Sequence, residues 1–452
     1  MRQIQVFDLD VRNNPGLQRF QLHSLGIRDR PALLLLAGEG FDLLLEIRHQ
    51  TVGIRILADG FLGVVKALDD GMLLEHLPNF LRFVQNLLRI YGHVAPCSTG
   101  TIIESTVDCH SSTSERYTRQ RVLPQIGGAG QRRLGSARVL LVGCGALGST
   151  AADLLVRAGV GFLRIADRDL VELGNLQRQV LFDERDAAEQ IPKAVAAQRR
   201  LSQINSSVRI ESHVVDVNFG NIRRLADGIE FILDGTDNVA TRYLLNDLAV
   251  ERNIPWIYGG CVGVGGRMMA IWPGKTACLR CVFPDPPKAS DLPTCDVAGI
   301  LGPAAALVGA MQAAVVIRMI VGGPEGIGGL IDLDIWNAEQ RKLISASTPM
   351  QDCPCCGNSE FPFLAATSDL TTTLCGRNTV QVQARGETVD LASAAKKLSS
   401  VGEVRVSPWF VKCQLREPAD LELTLFADSR LLVKGTNDLG RAKSVYARFV
   451  GS

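Results

Sequence analysis

The sequence has little histidine and no excess of charge of either sign. Its 452 residues include six histidines, and 48 basic residues are balanced by 47 acidic ones, for a net charge of +1. This balance argues against nucleic acid or an anionic membrane as the main partner, because both attract strongly basic surfaces. Only His213 lies within residues 113–365, so we do not expect general-base catalysis by histidine there.

We expect no secretory signal, because the N-terminus MRQIQVFDLDVRNNPG has no apolar stretch behind a basic one. Residues 297–317 carry no charge and are long enough to span a bilayer. They contain Gly302-Pro303 and consist mainly of Ala, Gly and Val, so we interpret them as a buried helix packed through small residues. We therefore expect a cytoplasmic protein without a membrane partner. Twelve cysteines in such a protein indicate metal or catalytic sites more than disulfides.

The length and the pattern of the chain predict three domains. Residues 1–112 would form an N-terminal α/β accessory domain, with strand-like runs at 41–48 and 52–57 and a helical period over 72–91. Residues 113–365 alternate short apolar runs with helical patterns, which predicts a doubly wound, largely parallel Rossmann-like α/β sheet. Residues 366–452 predict a small C-terminal α/β domain of strand, helix, three strands and helix.

A glycine-rich loop, Gly143-Cys-Gly-Ala-Leu-Gly148, stands between the apolar run 138–142 and a helical pattern. Glycines here permit a tight turn and let backbone N–H groups approach a phosphate at a helix N-terminus. Asp167 follows Gly148 by 19 residues, at the end of the next strand, where a carboxylate can bind ribose hydroxyls. The pattern predicts a nucleotide site, with a loop needed only for packing as the alternative.

The residues after Asp167 favour a triphosphate over a nicotinamide cofactor. They include Asp169, then Asn175-Leu-Gln-Arg178-Gln, and later Lys193. A triphosphate needs cations for its phosphates and a carboxylate for magnesium, whereas hydride transfer needs an apolar nicotinamide pocket. An NAD-dependent oxidoreductase remains a remote alternative.

Together these motifs resemble the ThiF/MoeB/HesA family, the bacterial relatives of ubiquitin-activating enzymes. The resemblance rests on five ordered motifs, which are Arg116-Tyr-Thr-Arg-Gln120, the glycine loop, residues 167–179, Pro192-Lys193 and Asp234-Gly-Thr-Asp-Asn238. It departs at Ile191, where the family has glycine before Pro-Lys. The resemblance implies ATP-dependent adenylation of the C-terminal glycine of a ubiquitin-like or sulfur-carrier protein that ends in Gly-Gly.

The resemblance also implies a role for each motif residue. The implied nucleotide contacts are Gly143, Gly145, Ala146, Leu147, Gly148, Asp167, Asp169, Asn175, Arg178, Lys193, Asp237 and Asn238. Asp237 would position Mg²⁺, and Arg119 would reach the active site of the other subunit of a homodimer. The implied catalytic residues are Arg119, Arg178, Lys193, Asp237 and Cys295. The nucleophile is a carboxylate that is already ionised at pH 7, so the reaction needs alignment and cations rather than a general base.

Two Cys-x-x-Cys turns predict a zinc site. Cys278 and Cys281 form the first turn, and Cys353 and Cys356 form the second. Four thiolates leave no open coordination position, so Zn²⁺ held there would be structural, and both turns fall where the family carries its structural zinc. Cys355 is set aside on spacing alone.

Cys295 corresponds to a cysteine that the family carries on a crossover loop above the adenylate. Its thiolate could attack the acyl-adenylate to form a thioester, or exchange sulfur, with a passive thiol as the alternative. Two fates of the activated glycine stay open. One is sulfur transfer for thiamine or molybdopterin synthesis, and the other is a bacterial ubiquitin-like conjugation pathway with a conjugating enzyme as a further partner.

Overall fold

The computed structural model describes residues 115–287, 298–323, 325–343, 347–365, 378–383 and 388–450 in full. It also describes the backbone of five N-terminal strands and of residues 372–374. The chain divides into two compact units, Met1–Thr106 and Val107–Ser452. The division of the second unit into two domains, at residue 365, stays a prediction.

The described part of the first unit is an antiparallel sheet whose five strands are paired in chain order. The strands are β1 (Ile4–Leu9), β2 (Phe20–Leu25), β3 (Ala32–Gly38), β4 (Phe41–Ile47) and β5 (Leu57–Ala58). The strand predicted over 41–48 is confirmed as β4. The helix predicted over 72–91 lies outside the described residues.

An eight-stranded sheet forms the centre of the second unit, in the order β13-β12-β11-β10-β9-β6-β7-β8. Its strands are β6 (Arg138–Val142), β7 (Phe162–Asp167), β8 (Arg209–Val214), β9 (Phe231–Asp234), β10 (Trp256–Val262), β11 (Gly265–Ile271), β12 (Leu330–Asp334) and β13 (Glu339–Leu343). Strands β6 to β10 are parallel to one another, and the last three are antiparallel. The predicted largely parallel sheet is confirmed.

Helices cover both faces of this sheet. They are α1 (Thr118–Arg121), α2 (Gly127–Ser136), α3 (Ala146–Ala158), α4 (Glu184–Glu189), α5 (Lys193–Ile204), α6 (Ile222–Leu225), α7 (Val239–Arg252), α8 (Leu279–Val282) and α9 (Gly302–Gly322). Val139 and Leu141 of β6 lie in one hydrophobic core, while Leu140 and Val142 lie in another. Because successive side chains of a strand point to opposite faces, the sheet has a core on each side and is doubly wound.

Helix α9 contains most of the uncharged stretch 297–317. Among the described helices it alone is long and apolar enough to cross a membrane. Half of its most apolar 18-residue stretch is buried inside the protein. A side chain at Gly309 would lie 2.5 Å from the carbonyl oxygen of Leu147, so α9 and α3 pack at close range. Gln312 is fully buried and donates a 2.7 Å hydrogen bond to the Asp234 carbonyl. The predicted helix and its close packing through a small residue are observed, and half of its apolar stretch is buried.

The C-terminal part of the second unit is a six-stranded antiparallel sheet, ordered β14-β15-β19-β18-β17-β16, with two helices. Its elements are β14 (Thr372–Leu374), β15 (Thr379–Val382), α10 (Leu391–Ser399), β16 (Gly402–Val406), β17 (Phe410–Leu415), β18 (Glu422–Phe426), β19 (Leu431–Lys434) and α11 (Leu439–Phe449). Three strands were predicted between the helices, and the structure has four. Strand β16 is an edge strand with mostly exposed side chains, so its apolar pattern is weak.

Candidate nucleotide site and cysteine cluster

The predicted nucleotide residues come from the carboxyl ends of three adjacent strands. Strands β7, β6 and β9 are neighbours and parallel, so the chain leaves all three at the same edge of the sheet. The glycine loop follows β6, the turn at 167–169 follows β7, and residues 235–238 follow β9. Ligands of open α/β sheets bind at this edge.

The glycine loop needs glycine at its two ends. Gly143 has a φ of +85°, and a side chain there would lie 2.8 Å from the backbone of Gly235. A side chain at Gly148 would clash with the carbonyl oxygen of Gly143. At Gly145 the nearest atoms would be 3.9 Å or more away, so this glycine leaves space directly before the N-terminus of α3. The predicted contacts Ala146 and Leu147 are the first residues of that helix.

Asp167 connects the glycine loop with the turn after β7. Its buried carboxylate accepts hydrogen bonds from the backbone N–H of Cys144 at 2.6 Å and of Asp169 at 2.7 Å. Burial raises the pKa of Asp167, while the charge of Lys193 lowers it. The carboxylate therefore orders the loop, and its predicted contact with a ribose would be additional to these bonds.

Lys193 faces the same turn from the start of α5. It is only 4 % exposed, and its Nζ lies 3.0 Å from Oδ2 of Asp169. Its backbone N–H also donates to the carbonyl of Asp169 at 2.9 Å. Although Ile191 departs from the family pattern, Lys193 still points at the strand ends. Its positive charge could interact there with a bound phosphate.

The motif 175–179 lies in a short turn beside the loop. Asn175 is buried and accepts from the backbone of Glu172, and Arg178 donates to the Gly174 carbonyl at 2.9 Å. Gln179 is also buried, and among the described residues its Oε1 has no hydrogen-bond partner. Its Nε2 would lie 4.0 Å from a side chain at Gly145. Gln179 is thus a candidate nucleotide contact in addition to those that the sequence predicted.

The two aspartates after β9 differ in environment. Asp234 is fully buried and accepts from the hydroxyl of Thr236 at 2.7 Å, and the guanidinium of Arg242 lies 3.4 Å away. Asp237 is exposed, so its carboxylate is accessible to Mg²⁺ from solution, as its predicted role requires. Asn238 caps α7 by accepting from two backbone N–H groups, so its side-chain oxygen already has a structural use.

Arg168 lies between the carboxylates of this edge. Its Nη1 donates to Asp216 at 3.1 Å. Burial opposes its charge, but the carboxylates of Asp216, Asp169 and Asp237 raise the pKa of Arg168. Magnesium is commonly held by one or two carboxylates together with substrate phosphates. Asp237, an exposed carboxylate beside a predicted triphosphate site, fits that donor set.

The roles of two predicted catalytic residues, Arg119 and Cys295, stay predictions. Arg119 is exposed on the short helix α1, and its predicted role across a homodimer stays a prediction. Cys295 lies outside the described residues. The described chain resumes at Ala298, and Gly302 at the start of α9 lies against the backbone of Gln177.

The four predicted zinc ligands come together. The Sγ atoms of Cys278, Cys281, Cys353 and Cys356 all lie within 4.8 Å of one another, with pairs at 3.6 Å and 3.4 Å. A tetrahedral zinc with Zn–S bonds of about 2.3 Å requires sulfurs about 3.8 Å apart, so the cluster fits this ion. Cys355 instead accepts from Nδ2 of Asn246 at 3.2 Å, which supports its exclusion from the predicted set.

Cys144 is unsuited to nucleophilic chemistry. It is fully buried in the glycine loop, and burial together with the charge of Asp167 raises the pKa of its thiol far above the ordinary value. A thiol that stays protonated is a poor nucleophile. Packing, as the sequence indicated, is the role that its environment supports.

The sequence matches one protein family over half of its length. The ThiF family model covers residues 117–355. The chain is 42% identical over 339 residues to the sulfur carrier protein ThiS adenylyltransferase of Bacillus subtilis. This alignment covers 74% of the present chain and 99% of the relative. It is 38% identical over 251 residues to the sulfur carrier protein adenylyltransferase of Thermus thermophilus, covering 54% and 91%. The crystal structure of E. coli MccB aligns with a TM-score of 0.49 at 21% identity, covering 65% of this chain and 81% of that one.

Proposed function

Because this chain belongs to the ThiF family, we propose that it adenylates the C-terminal carboxylate of a sulfur carrier protein of the ThiS kind. The chain is an adenylyltransferase of the ubiquitin-activating type, which uses ATP. The relatives agree with the adenylation prediction and not with the oxidoreductase alternative. The observation that carries the choice of substrate is the match over 99% of a ThiS adenylyltransferase.

The proposed reaction joins the carrier carboxylate to AMP. A carboxylate oxygen attacks the α-phosphorus of ATP, a new O–P bond forms, and the bond between the α-phosphorus and the bridging oxygen to the β-phosphate breaks. Pyrophosphate leaves with that electron pair. No proton needs to be removed from the nucleophile, so the protein has to align the reactants and stabilise the developing negative charge.

The residues at the strand ends divide this work. The space at Gly145 and the N-terminus of α3 can receive phosphate oxygens. Lys193 and Arg178 supply positive charge, and Asp237 would hold magnesium, which neutralises phosphate charge when bound. Asp169, 3.0 Å from the lysine, keeps the Lys193 ammonium oriented before ATP arrives.

Several parts of the proposal go beyond the family assignment. We propose a homodimer in which Arg119 of one copy completes the site of the other, and a cytoplasmic location. We also propose that Cys295 acts after adenylation, through a thioester or in sulfur transfer. Conjugation through a further enzyme stays a prediction, since no observation favours it over sulfur transfer.

ATP–pyrophosphate exchange tests the proposed function. Purified protein with magnesium should exchange labelled pyrophosphate into ATP only when a carrier protein ending in Gly-Gly is present. A carrier that lacks the last two glycines is the matched control and should give no exchange. The Cys295→Ala variant should retain exchange, because it acts on a later step. Exchange that does not depend on the carrier, or none with any carrier, would reject the proposal.

A further inference from the structure

The C-terminal sheet contacts the proposed nucleotide site at Arg168 and at Asp216. Arg430, which precedes β19, donates from Nη1 to the carbonyl oxygen of Arg168 at 2.8 Å. Gln381 of β15 donates from Nε2 to Oδ2 of Asp216 at 2.6 Å. Oδ1 of the same Asp216 accepts from the guanidinium of Arg168 at 3.1 Å. The C-terminal sheet thus holds both the backbone and the side chain of residue 168.

The burial of Arg430 is costly for a contact that only stabilises the fold. Its side chain is 1 % exposed, and its guanidinium stacks 4.0 Å from the ring of Phe426. The nearest carboxylate, of Asp428, lies 3.7 Å from Nε. Among the described residues, neither Nε nor Nη2 has a hydrogen-bond partner. An apolar side chain of similar size would avoid this desolvation, so stability alone is a poor explanation for an arginine here.

Arg168 lies between two carboxylates that order the nucleotide site. On one side Asp167 holds the N–H of Cys144 in the glycine loop. On the other side Asp169 holds the ammonium of Lys193. A shift of the carbonyl of residue 168 would therefore move the glycine loop and the phosphate-facing lysine together.

Arg430 also limits the negative charge at this edge. The charged groups that act on one another around Arg168, Arg430 and Asp167 are five carboxylates and three cations, namely Asp167, Asp169, Asp216, Asp237, Asp428, Arg168, Lys193 and Arg430. The formal charge is therefore −2, and it becomes −3 when Arg430 is made neutral. More negative charge would weaken the binding of a triphosphate.

We propose that Arg430 is a positioning residue for ATP, through which the C-terminal sheet holds the 167–169 turn in its nucleotide-binding geometry. The inference rests on the proposed function, because it assigns ATP to this edge of the sheet. It makes the C-terminal sheet part of the nucleotide site and not an independent appendage.

Steady-state exchange by the full-length Arg430→Gln variant tests the inference. We expect the KM for ATP to rise about tenfold, the size of one lost charged hydrogen bond, while kcat changes by less than about twofold. Arg430→Lys keeps the charge and should recover most of the affinity. Val433→Ala is the control, because Val433 is buried in the core of the same sheet and makes no hydrogen bond to residue 168. It should lower the melting temperature and leave the KM for ATP unchanged.

The outcomes separate this inference from the proposed function. An unchanged KM in Arg430→Gln, or an equal rise in Val433→Ala, would overturn the role of Arg430 while wild-type exchange stands. If wild type showed no exchange, calorimetric titration with a non-hydrolysable ATP analogue would still compare the variants. Should Arg430→Gln fail to fold, Gln381→Met removes the second link, and we expect about a threefold loss of ATP affinity; no loss there would reject the inference.

Discussion

The proposed nucleotide site at the strand ends and the cysteine cluster differ in how their charges are compensated. Asp167 has two backbone N–H groups, Lys193 has Asp169, and Asp234 has Thr236 and Arg242. In the cysteine cluster the closest polar neighbours of the sulfurs are largely other sulfurs. The charged groups of the proposed nucleotide site are thus compensated by other groups of the protein, whereas four close thiolates need a cation.

The position of the cysteine cluster shows what the cation would hold. Cys278 directly precedes the short helix α8, whose first N–H donates to Asn246 of α7 at 2.8 Å. Cys353 and Cys356 belong to the segment 347–365, which packs against α7 through Cys355. A metal there joins two distant chain segments to one helix. We therefore expect substitution of the cluster cysteines to unfold the protein. Substitution of the proposed nucleotide residues should instead remove activity while the fold is kept.

The largest effect should follow removal of a zinc ligand. In Cys278→Ala we expect the bound zinc, about one ion per chain, to be lost together with most of the folded protein, because a structural zinc contributes on the order of 10 kcal/mol. Elemental analysis and thermal unfolding measure both quantities.

Cys355→Ala is the matched control for that experiment. Cys355 lies in the same turn but interacts with Asn246 and Asp247, so zinc content should stay at one ion and the melting temperature should fall only slightly. Full stability of Cys278→Ala without metal would refute the structural role of the cluster.

The next largest effect should be a loss of activity without a loss of stability. Asp237→Ala removes an exposed carboxylate, so the melting temperature should stay within a few degrees. We expect exchange to fall by about a hundredfold or more, because phosphate charge is no longer neutralised by a held magnesium ion. Asp227→Ala, an exposed aspartate paired with Arg252 at 3.2 Å, is the control and should keep full exchange. Normal exchange by Asp237→Ala would remove this residue from the site.

Local patterns were sufficient to predict the parts of this site that are close in sequence. The strand before Gly143, the helix after it and the end of β7 at Asp167 are all where periodicity placed them. The spacing of the two Cys-x-x-Cys turns also predicted that their four thiols lie close together, since such pairs are typical of one metal site.

Contacts between distant residues were beyond those patterns. The bond from Arg430 to Arg168 joins positions 262 residues apart, and no periodicity reports which buried arginine meets which carbonyl. Only the family resemblance, and no local pattern, distinguished the buried Asp234 from the exposed Asp237. The division of labour between such neighbours depends on burial, which only the packed structure determines.

The smallest effects we predict lie within the glycine loop. There, one glycine should serve the fold and another the nucleotide. In Gly148→Ala the new methyl group would clash with the carbonyl of Gly143, so we expect a stability loss of about 1–3 kcal/mol, typical of overpacking. In Gly145→Ala the methyl group has 3.9 Å of space, so the fold should be kept. It would occupy the space left for phosphate, and we expect the KM for ATP to rise about tenfold. Thermal unfolding and exchange on both variants give the result. Equal stability losses in the two variants would mean that Gly145, like Gly148, serves packing rather than the nucleotide.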